Sequence, residues 1–218
     1  LSERDPNPSI TLGWTHALGI LLCMVFARSF AMAFNRLVDA KWDALNPRTA
    51  KRHLPAGALS YGGVWNFTTF CALGFVASTM LFLPNRIPLG ASIPVLVFLA
   101  SYSLAKRFTV WVHFWLGVAL AAAPLCAWVA LRGEAIQQSW TDLVTPLVLA
   151  AAVALWVAGF DLIYACQDAA FDREVGLKSL PAAVGVTRAL AIAAFCHATM
   201  LVPLVIIPWI APSSLHLG

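Results

Sequence analysis

Apolar residues in this chain come in long unbroken runs. They show neither the alternation of a half-buried strand nor the narrow stripe of a soluble helix. Six runs reach the length, roughly 20 residues, that a helix needs to cross a bilayer core. They lie at Ile10–Leu37, Tyr61–Leu83, Pro88–Leu104, Trp111–Leu131, Leu143–Cys166 and Val186–Ala211, the third being the shortest. Lipid offers the backbone no hydrogen-bond partners, so without strand-like alternation the spans must be helices. The pattern predicts an all-α fold, a multi-pass transmembrane helical bundle forming one domain over residues 1–218.

Composition agrees: 61% of the residues are hydrophobic and 11% are charged, against roughly 25% charged in soluble domains. The cysteines (Cys23, Cys71, Cys126, Cys166 and Cys196) stand singly within apolar segments and read as small core hydrophobes. A net charge of +4 is modest, and no nucleic acid is expected as a partner. The chain opens at Leu1 with no charged leader or cleavage site before the first run, and is read as a piece of a longer protein.

The placement of charge says more than its sum. Lys41, Arg48, Lys51, Arg52, Lys106, Arg107, Arg173, Lys178 and Arg188 follow the first, third and fifth spans, whereas Arg86 and Arg132 follow the second and fourth, with Arg4 in the lead. By the positive-inside rule the richer side faces the cytoplasm, which places the protein in the cell (inner) membrane. Trp14, Trp111, Trp115, Trp140 and Trp209 read as an interfacial belt. Orientation draws little on acids, yet Asp39, Asp43, Asp161, Asp168, Asp172 and Glu174 gather on the same side.

In the stretch NRLVDAKWD, Asn35, Asp39 and Asp43 recur every fourth residue and so share one helix face. Asp168 and Asp172 repeat the spacing at the cytoplasmic end of the fifth span. Asp168 follows Asp39 along the chain by the same interval as Asp172 follows Asp43, and the even number of spans between returns the chain to the same face. The two pairs can therefore face each other.

Four uncompensated carboxylates would raise one another's pKa until some became neutral, and bound cations resolve the conflict. An all-oxygen set selects a hard ion. Mg²⁺ is the expected cofactor, with a diphosphate as the second partner, since a zinc site would need paired His or Cys. Arg48, Lys51 and Arg52 follow the first motif, Lys106 and Arg107 lie between the two, and Lys178 follows the second; such cations bind phosphate oxygens directly. Acids for a metal and bases for a diphosphate, beside a bilayer, describe a site for a lipid diphosphate.

In this order the blocks NRLVDAKWDALNPRTAKRHLPAG, YSLAKRFT and DLIYACQDAAFDREVGLKSLP resemble the UbiA superfamily of intramembrane prenyltransferases. They are most similar to its 4-hydroxybenzoate polyprenyltransferase-like branch of quinone (ubiquinone and menaquinone) biosynthesis. The resemblance covers nearly the whole chain. It implies nine helices around a cavity, of which the six spans here lack the first and the last two. It further implies that a piece lacking those helices is inactive.

Its implied activity is Mg²⁺-dependent transfer of a polyprenyl group from its diphosphate to an aromatic acid. The metal ligands and catalytic residues would be Asp39, Asp43, Asp168 and Asp172. Asn35, Arg48, Lys51, Arg52, Lys106, Arg107, Asp161, Tyr164 and Lys178 would bind substrate. Where the family often has Asp after the Asn of its first motif, this chain has Arg36, which removes one possible ligand.

Several residues keep two readings. Asp161 lies inside the span and serves either a substrate or a helix–helix hydrogen bond. Tyr164 shares its face with Asp161 and Asp168. Phe34, Tyr102, Phe108, Tyr164 and Phe171 support a developing cation or simply form wall. His113 and His197 read as satisfied core or interface residues, and Arg28 lies mid-span needing a partner or a wet cavity. Dihydroxynaphthoate is the alternative acceptor. A membrane cation transporter would place its acids near the midplane, and a CDP-alcohol phosphotransferase would carry its aspartates in one continuous motif.

Overall fold

The computed structural model describes residues 12–210. Ile10 and Ala211, the expected outer limits of the first and last spans, lie outside the described residues, as does Arg4. Within that range the chain is helical, with no strand among the described residues. The elements are α1 (Trp14–Leu45), α2 (Tyr61–Thr79), α3 (Ile87–Leu104), α4 (Val112–Leu131), α5 (Gly133–Gln138), α6 (Val144–Ala165), α7 (Ala169–Glu174), α8 (Leu180–Val184), α9 (Val186–Thr199) and α10 (Leu201–Ile210). Among the described residues, six helices or helix pairs are long and apolar enough to cross a membrane. This is a helical membrane bundle.

Three boundaries differ from the hydropathy pattern, each for a local reason. The first helix runs on to Leu45, beyond the apolar run, and so carries both Asp39 and Asp43. The fifth span tightens after Ala165 into a 3₁₀ turn, Cys166–Asp168, before α7 resumes. Asp168 and Asp172 therefore do not share one continuous α-helix face. The sixth span breaks at Met200. Pro203 has no N–H to return to the Thr199 carbonyl, so the ladder cannot run through unbroken.

The bundle is built from neighbours in sequence. Helix α1 packs on α2 and α3, α3 on α4, and α6 on α4, α9 and α10. Phe30, Cys71, Phe75 and Leu96 form a core between α1, α2 and α3. The seam between α4 and α6 is lined with small residues instead: Ala119, Ala121, Ala152 and Ala158 are buried, and a Cβ on Gly117 would stand 2.4 Å from the Ala154 carbonyl oxygen. Small residues permit close backbone approach where lipid supplies no hydrophobic drive between helices.

Large apolar side chains such as Leu21, Val25, Phe70, Leu73 and Phe195 remain on the outside, as a lipid-facing surface requires. Trp14, Trp140 and Trp209 are 92%, 82% and 86% exposed, matching the belt reading. Trp115 departs from it, stacking on Phe98 and meeting the edge of Phe108 inside the bundle.

Candidate active site

One end of the bundle holds a polar cavity of about 150 Å³. The C-terminal turns of α1 bring Asn35, Asp39, Trp42 and Asp43, and the connection after it brings Asn46, Arg48, Thr49 and Arg52. Tyr102 and Lys106 come from the end of α3, His113 from the start of α4, and Asp161, Tyr164, Asp168, Phe171 and Asp172 from α6, the 3₁₀ turn and α7. A larger groove, about 470 Å³, lies elsewhere among Ile87, Val129, Ile136, Gln137, Trp140 and Leu143. It offers no ionisable side chain and no chemistry.

Local hydrogen bonds explain how the connection folds back over the site. Thr49 Oγ1 donates to the Asp43 carbonyl at the end of α1 (3.0 Å), and Asn46 Oδ1 accepts the Arg48 N–H (3.0 Å) in an Asx turn. That turn frees Asn46 Nδ2 to donate to Asp168 Oδ1 (2.9 Å). At the far rim, Gly176 takes a positive φ of 75°, and the chain turns so that the Lys178 N–H donates to the Lys106 carbonyl (2.7 Å).

Opposite charges already neutralise one another across the cavity. Arg52 Nη1 donates to both oxygens of Asp43 (2.6 and 2.7 Å), and Arg36 stands 3.8 Å from the same carboxylate. Arg48 grips Asp168 through Nε and Nη2, donates to the Tyr164 hydroxyl (2.6 Å), and lies 4.9 Å from that ring's centroid. The hydrogen bond to Asp168, followed by that carboxylate's charge, lifts the Arg48 guanidinium above its ordinary pKa, so it stays charged throughout. Lys106 Nζ donates to Asp172 (3.3 Å), whose side chain is almost wholly buried. Asp39 accepts from Asn35 (2.8 Å), as their shared helix face requires.

The two aspartate motifs, separated along the chain, thus meet in one cavity with Asn35, Arg48, Arg52, Lys106, Asp161 and Tyr164. The remaining cations do not join them there. Lys51 is exposed, Arg107 donates to the Val38 carbonyl (2.7 Å), and Lys178 Nζ donates to the Phe108 carbonyl (3.3 Å). The last two fasten connections rather than line the cavity. Arg28 lies exposed on α1, outside it.

His113 is the satisfied core residue that the sequence predicts, and its partner is the part that sequence reasoning did not supply. It is wholly buried, lines the cavity, and puts Nδ1 2.6 Å from Asp161 Oδ2. A signal was available: an acid inside an apolar span needs a partner, and His113 starts the adjacent antiparallel span near the same membrane face.

Whether these residues suit a hard divalent cation can be judged from their chemistry. Five carboxylates (Asp39, Asp43, Asp161, Asp168, Asp172) against three cations (Arg48, Arg52, Lys106) leave the cavity lining two negative charges in excess. The remaining donors there, Asn35, Asn46, Thr49 and the tyrosines, are mostly oxygen-bearing. Among the described residues no three acids, histidines or cysteines stand close enough to enclose an ion by themselves. That arrangement suits Mg²⁺, which binds through one or two carboxylates and completes its shell with water and phosphate oxygens.

Comparison with known proteins gives the family. The family model described as the UbiA prenyltransferase family matches residues 7–218. The chain is 32% identical over 165 residues to the UbiA prenyltransferase claS of Ampulloclitocybe clavipes, covering 73% of this chain and 50% of that protein. It is 32% identical over 162 residues to the mitochondrial 4-hydroxybenzoate polyprenyltransferase of Caenorhabditis elegans, covering 72% and 42% respectively. The chain thus spans about half the length of the curated relatives it matches. A solved apo structure of a UbiA homologue from Aeropyrum pernix K1 superimposes with a TM-score of 0.84 at 32% identity, covering 94% of this chain and 74% of that one. The chain belongs to the UbiA prenyltransferase family.

Proposed function

We propose that the protein transfers a polyprenyl group from its diphosphate to the ring of a 4-hydroxybenzoate-like aromatic acid, in quinone biosynthesis, releasing diphosphate. The observation that carries this reading is the meeting of two remote aspartate motifs with Arg48, Arg52 and Lys106 in one polar cavity at the end of a membrane bundle. A transporter's acids would line a path through the bilayer. These cluster at one end, and positive-inside counting puts that end at the cytoplasm.

The cavity, at about 150 Å³, is smaller than the roughly 300 Å³ at which small-molecule sites begin. Substrate therefore has to open it. Arg48, Arg52 and Lys106 exchange their carboxylate partners for diphosphate oxygens, which they recognise by the same charge-assisted hydrogen bonds. Asp43, Asp168 and Asp172, released from those cations, would hold Mg²⁺ together with Asp39, which has Asn35 beside it. When bound, the metal draws charge from the departing diphosphate as a Lewis acid.

The remaining work falls to the protein's own side chains. The allylic C1–O bond lengthens, diphosphate departs with the electron pair, and positive charge develops on the prenyl carbon. Tyr102, Tyr164 and Phe171 line the cavity and can face that charge, each such contact contributing roughly 0.5–2 kcal/mol. The apolar bundle excludes water that would otherwise capture the cation. The electron-rich ring carbon beside the phenol then closes the new C–C bond.

The test is to supply the full-length parent protein with Mg²⁺, a polyprenyl diphosphate and either 4-hydroxybenzoate or dihydroxynaphthoate, and to measure diphosphate and prenylated product together. Equimolar release with 4-hydroxybenzoate is expected. Turnover with dihydroxynaphthoate alone would reassign the acceptor, and no metal-dependent diphosphate release with either would sink the assignment.

A further inference from the structure

We propose that Asp161 accepts the phenol proton of the aromatic acceptor and that His113 is the positioning residue that holds it ready. The inference rests on the aromatic-transfer reading above and assigns a base that the aspartate motifs do not supply. Asp161 lies seven residues, about two helical turns or roughly 10 Å, before Asp168 along the chain and so deeper in the span. An acceptor ring attacking C1 must sit below the diphosphate, at that depth.

The hydrogen bonds fix the state of the pair. The Leu180 backbone N–H donates to His113 Nε2 (3.3 Å), so this nitrogen is the acceptor and the ring proton sits on Nδ1. Nδ1 then donates to Asp161 Oδ2 at 2.6 Å. Both ring nitrogens are thus occupied. His113 is therefore an anchor, and the proton acceptor is the carboxylate.

Asp161 Oδ1 accepts no hydrogen bond among the described residues, and the side chain lines the cavity. Tyr102 from α3, Lys106 from the 3₁₀ turn after it, and Asp39 from α1 line the same cavity. None of them forms a hydrogen bond or ion pair with Asp161 among the described residues. A carboxylate with one oxygen pinned from behind and the other open to the site has the geometry of a general base.

The step balances. As the ring carbon bonds to C1 and the C1–O electron pair leaves with diphosphate, Asp161 Oδ1 takes the phenol proton and the ring becomes a dienone. The proton on the substituted ring carbon is then lost to the departing diphosphate. Aromaticity returns as Asp161 gives its proton back to the oxygen. The net exchange is one ring hydrogen for one prenyl group.

The test uses the intact protein with geranyl diphosphate and 4-hydroxybenzoate. Asp161→Asn should lower kcat about a hundredfold or more, with the KM for the diphosphate within about threefold of parent. His113→Leu should lower kcat about tenfold. His113→Asn, which keeps an N–H where Nδ1 stood, should recover most of that loss.

A purely structural role would not follow acceptor acidity. With 3-fluoro-4-hydroxybenzoate, a more acidic phenol with one ortho carbon still open, the Asp161→Asn defect should shrink about tenfold. Binding of Mg²⁺ with inorganic pyrophosphate checks that each variant is folded. If Asp161→Asn keeps parental kcat, or its defect is the same for both phenols, Asp161 is not the base. Equal losses in His113→Leu and His113→Asn would remove His113 from its role. A parent that releases no diphosphate would overturn the functional reading instead.

Discussion

The crossing of α4 and α6 is tight enough to be tested with one methyl group. A Cβ on Gly117 would meet the Ala154 carbonyl oxygen at 2.4 Å, with Ala154 C at 3.2 Å and Cα at 3.4 Å. Ordinary van der Waals contact begins near 3.4 Å, so the helices must part by about 1 Å, and the obstacle is backbone that cannot rotate away. Overpacking of this kind costs about 1–3 kcal/mol, or about 2–4 °C of melting temperature per kcal/mol in a chain of this size. Gly117→Ala should therefore melt several degrees below parent in detergent. It should also lose turnover, because His113 lies one turn from Gly117 and its 2.6 Å contact with Asp161 spans the same seam. Gly90→Ala is the control: nothing stands within 4 Å of its Cβ, and an exposed helical Gly→Ala change is neutral or stabilising by up to about 1 kcal/mol. A Gly117→Ala protein that melts with the control and keeps parental kcat would refute both the close crossing and its link to the site.

Alanine at Asp39, Asp43, Asp168 or Asp172 should abolish most prenyl transfer while membrane insertion is unchanged; near-parental turnover in any two would break the paired-motif assignment. Arg48→Lys keeps the charge but loses the fork on Asp168 and the contact with Tyr164, so the KM for the prenyl diphosphate should rise about tenfold, a loss of roughly 1.4 kcal/mol. An unchanged KM would mean that Arg48 serves only the unliganded protein. In a cysteine-free background, cysteines at Lys51, Phe108 and Gly176 should react with an impermeant thiol reagent from the cytoplasmic side, and those at Arg86 and Glu134 from the other. Finding Lys51 and Gly176 on opposite faces would end the two-motif site.

Much of the fold was legible because membrane helices declare themselves by length and hydropathy. The α1 motif was legible for the same geometric reason, since a uniform helix puts Asn35, Asp39 and Asp43 on one face. The break before Asp168 was hidden: DLIYACQDAAFD reads as continuous helix, and whether its turns tighten depends on tertiary contacts such as Arg48 and Asn46 on Asp168. The positions of Arg107 and Lys178 were not legible, because a sequence shows that a cation lies near a site but not where its donors go. Arg107 donates to the Val38 carbonyl on α1 and Lys178 to the Phe108 carbonyl in the connection after α3. His113 was legible as a satisfied core residue, but its partner Asp161 was not, because a histidine's value lies in what stands opposite.

The pairing of Arg52 with Asp43, Arg48 with Asp168 and Lys106 with Asp172 has a thermodynamic consequence. An anion arriving alone must strip a cation from its carboxylate and leave that carboxylate bare in a poorly hydrated cavity. A divalent cation arriving alone leaves an arginine or lysine equally bare. Each ligand by itself is charged the full cost of a broken ion pair, and the two together are not, because each partner released by one is taken up by the other. The free energies of the two binding events are therefore coupled, and by reciprocity each ligand tightens the other by the same factor. On the proposed function the three pairs would make the site a gate with two keys: diphosphate without metal, or metal without diphosphate, would leave it shut, and the reactive carbon would be exposed to charge withdrawal only when both are in place.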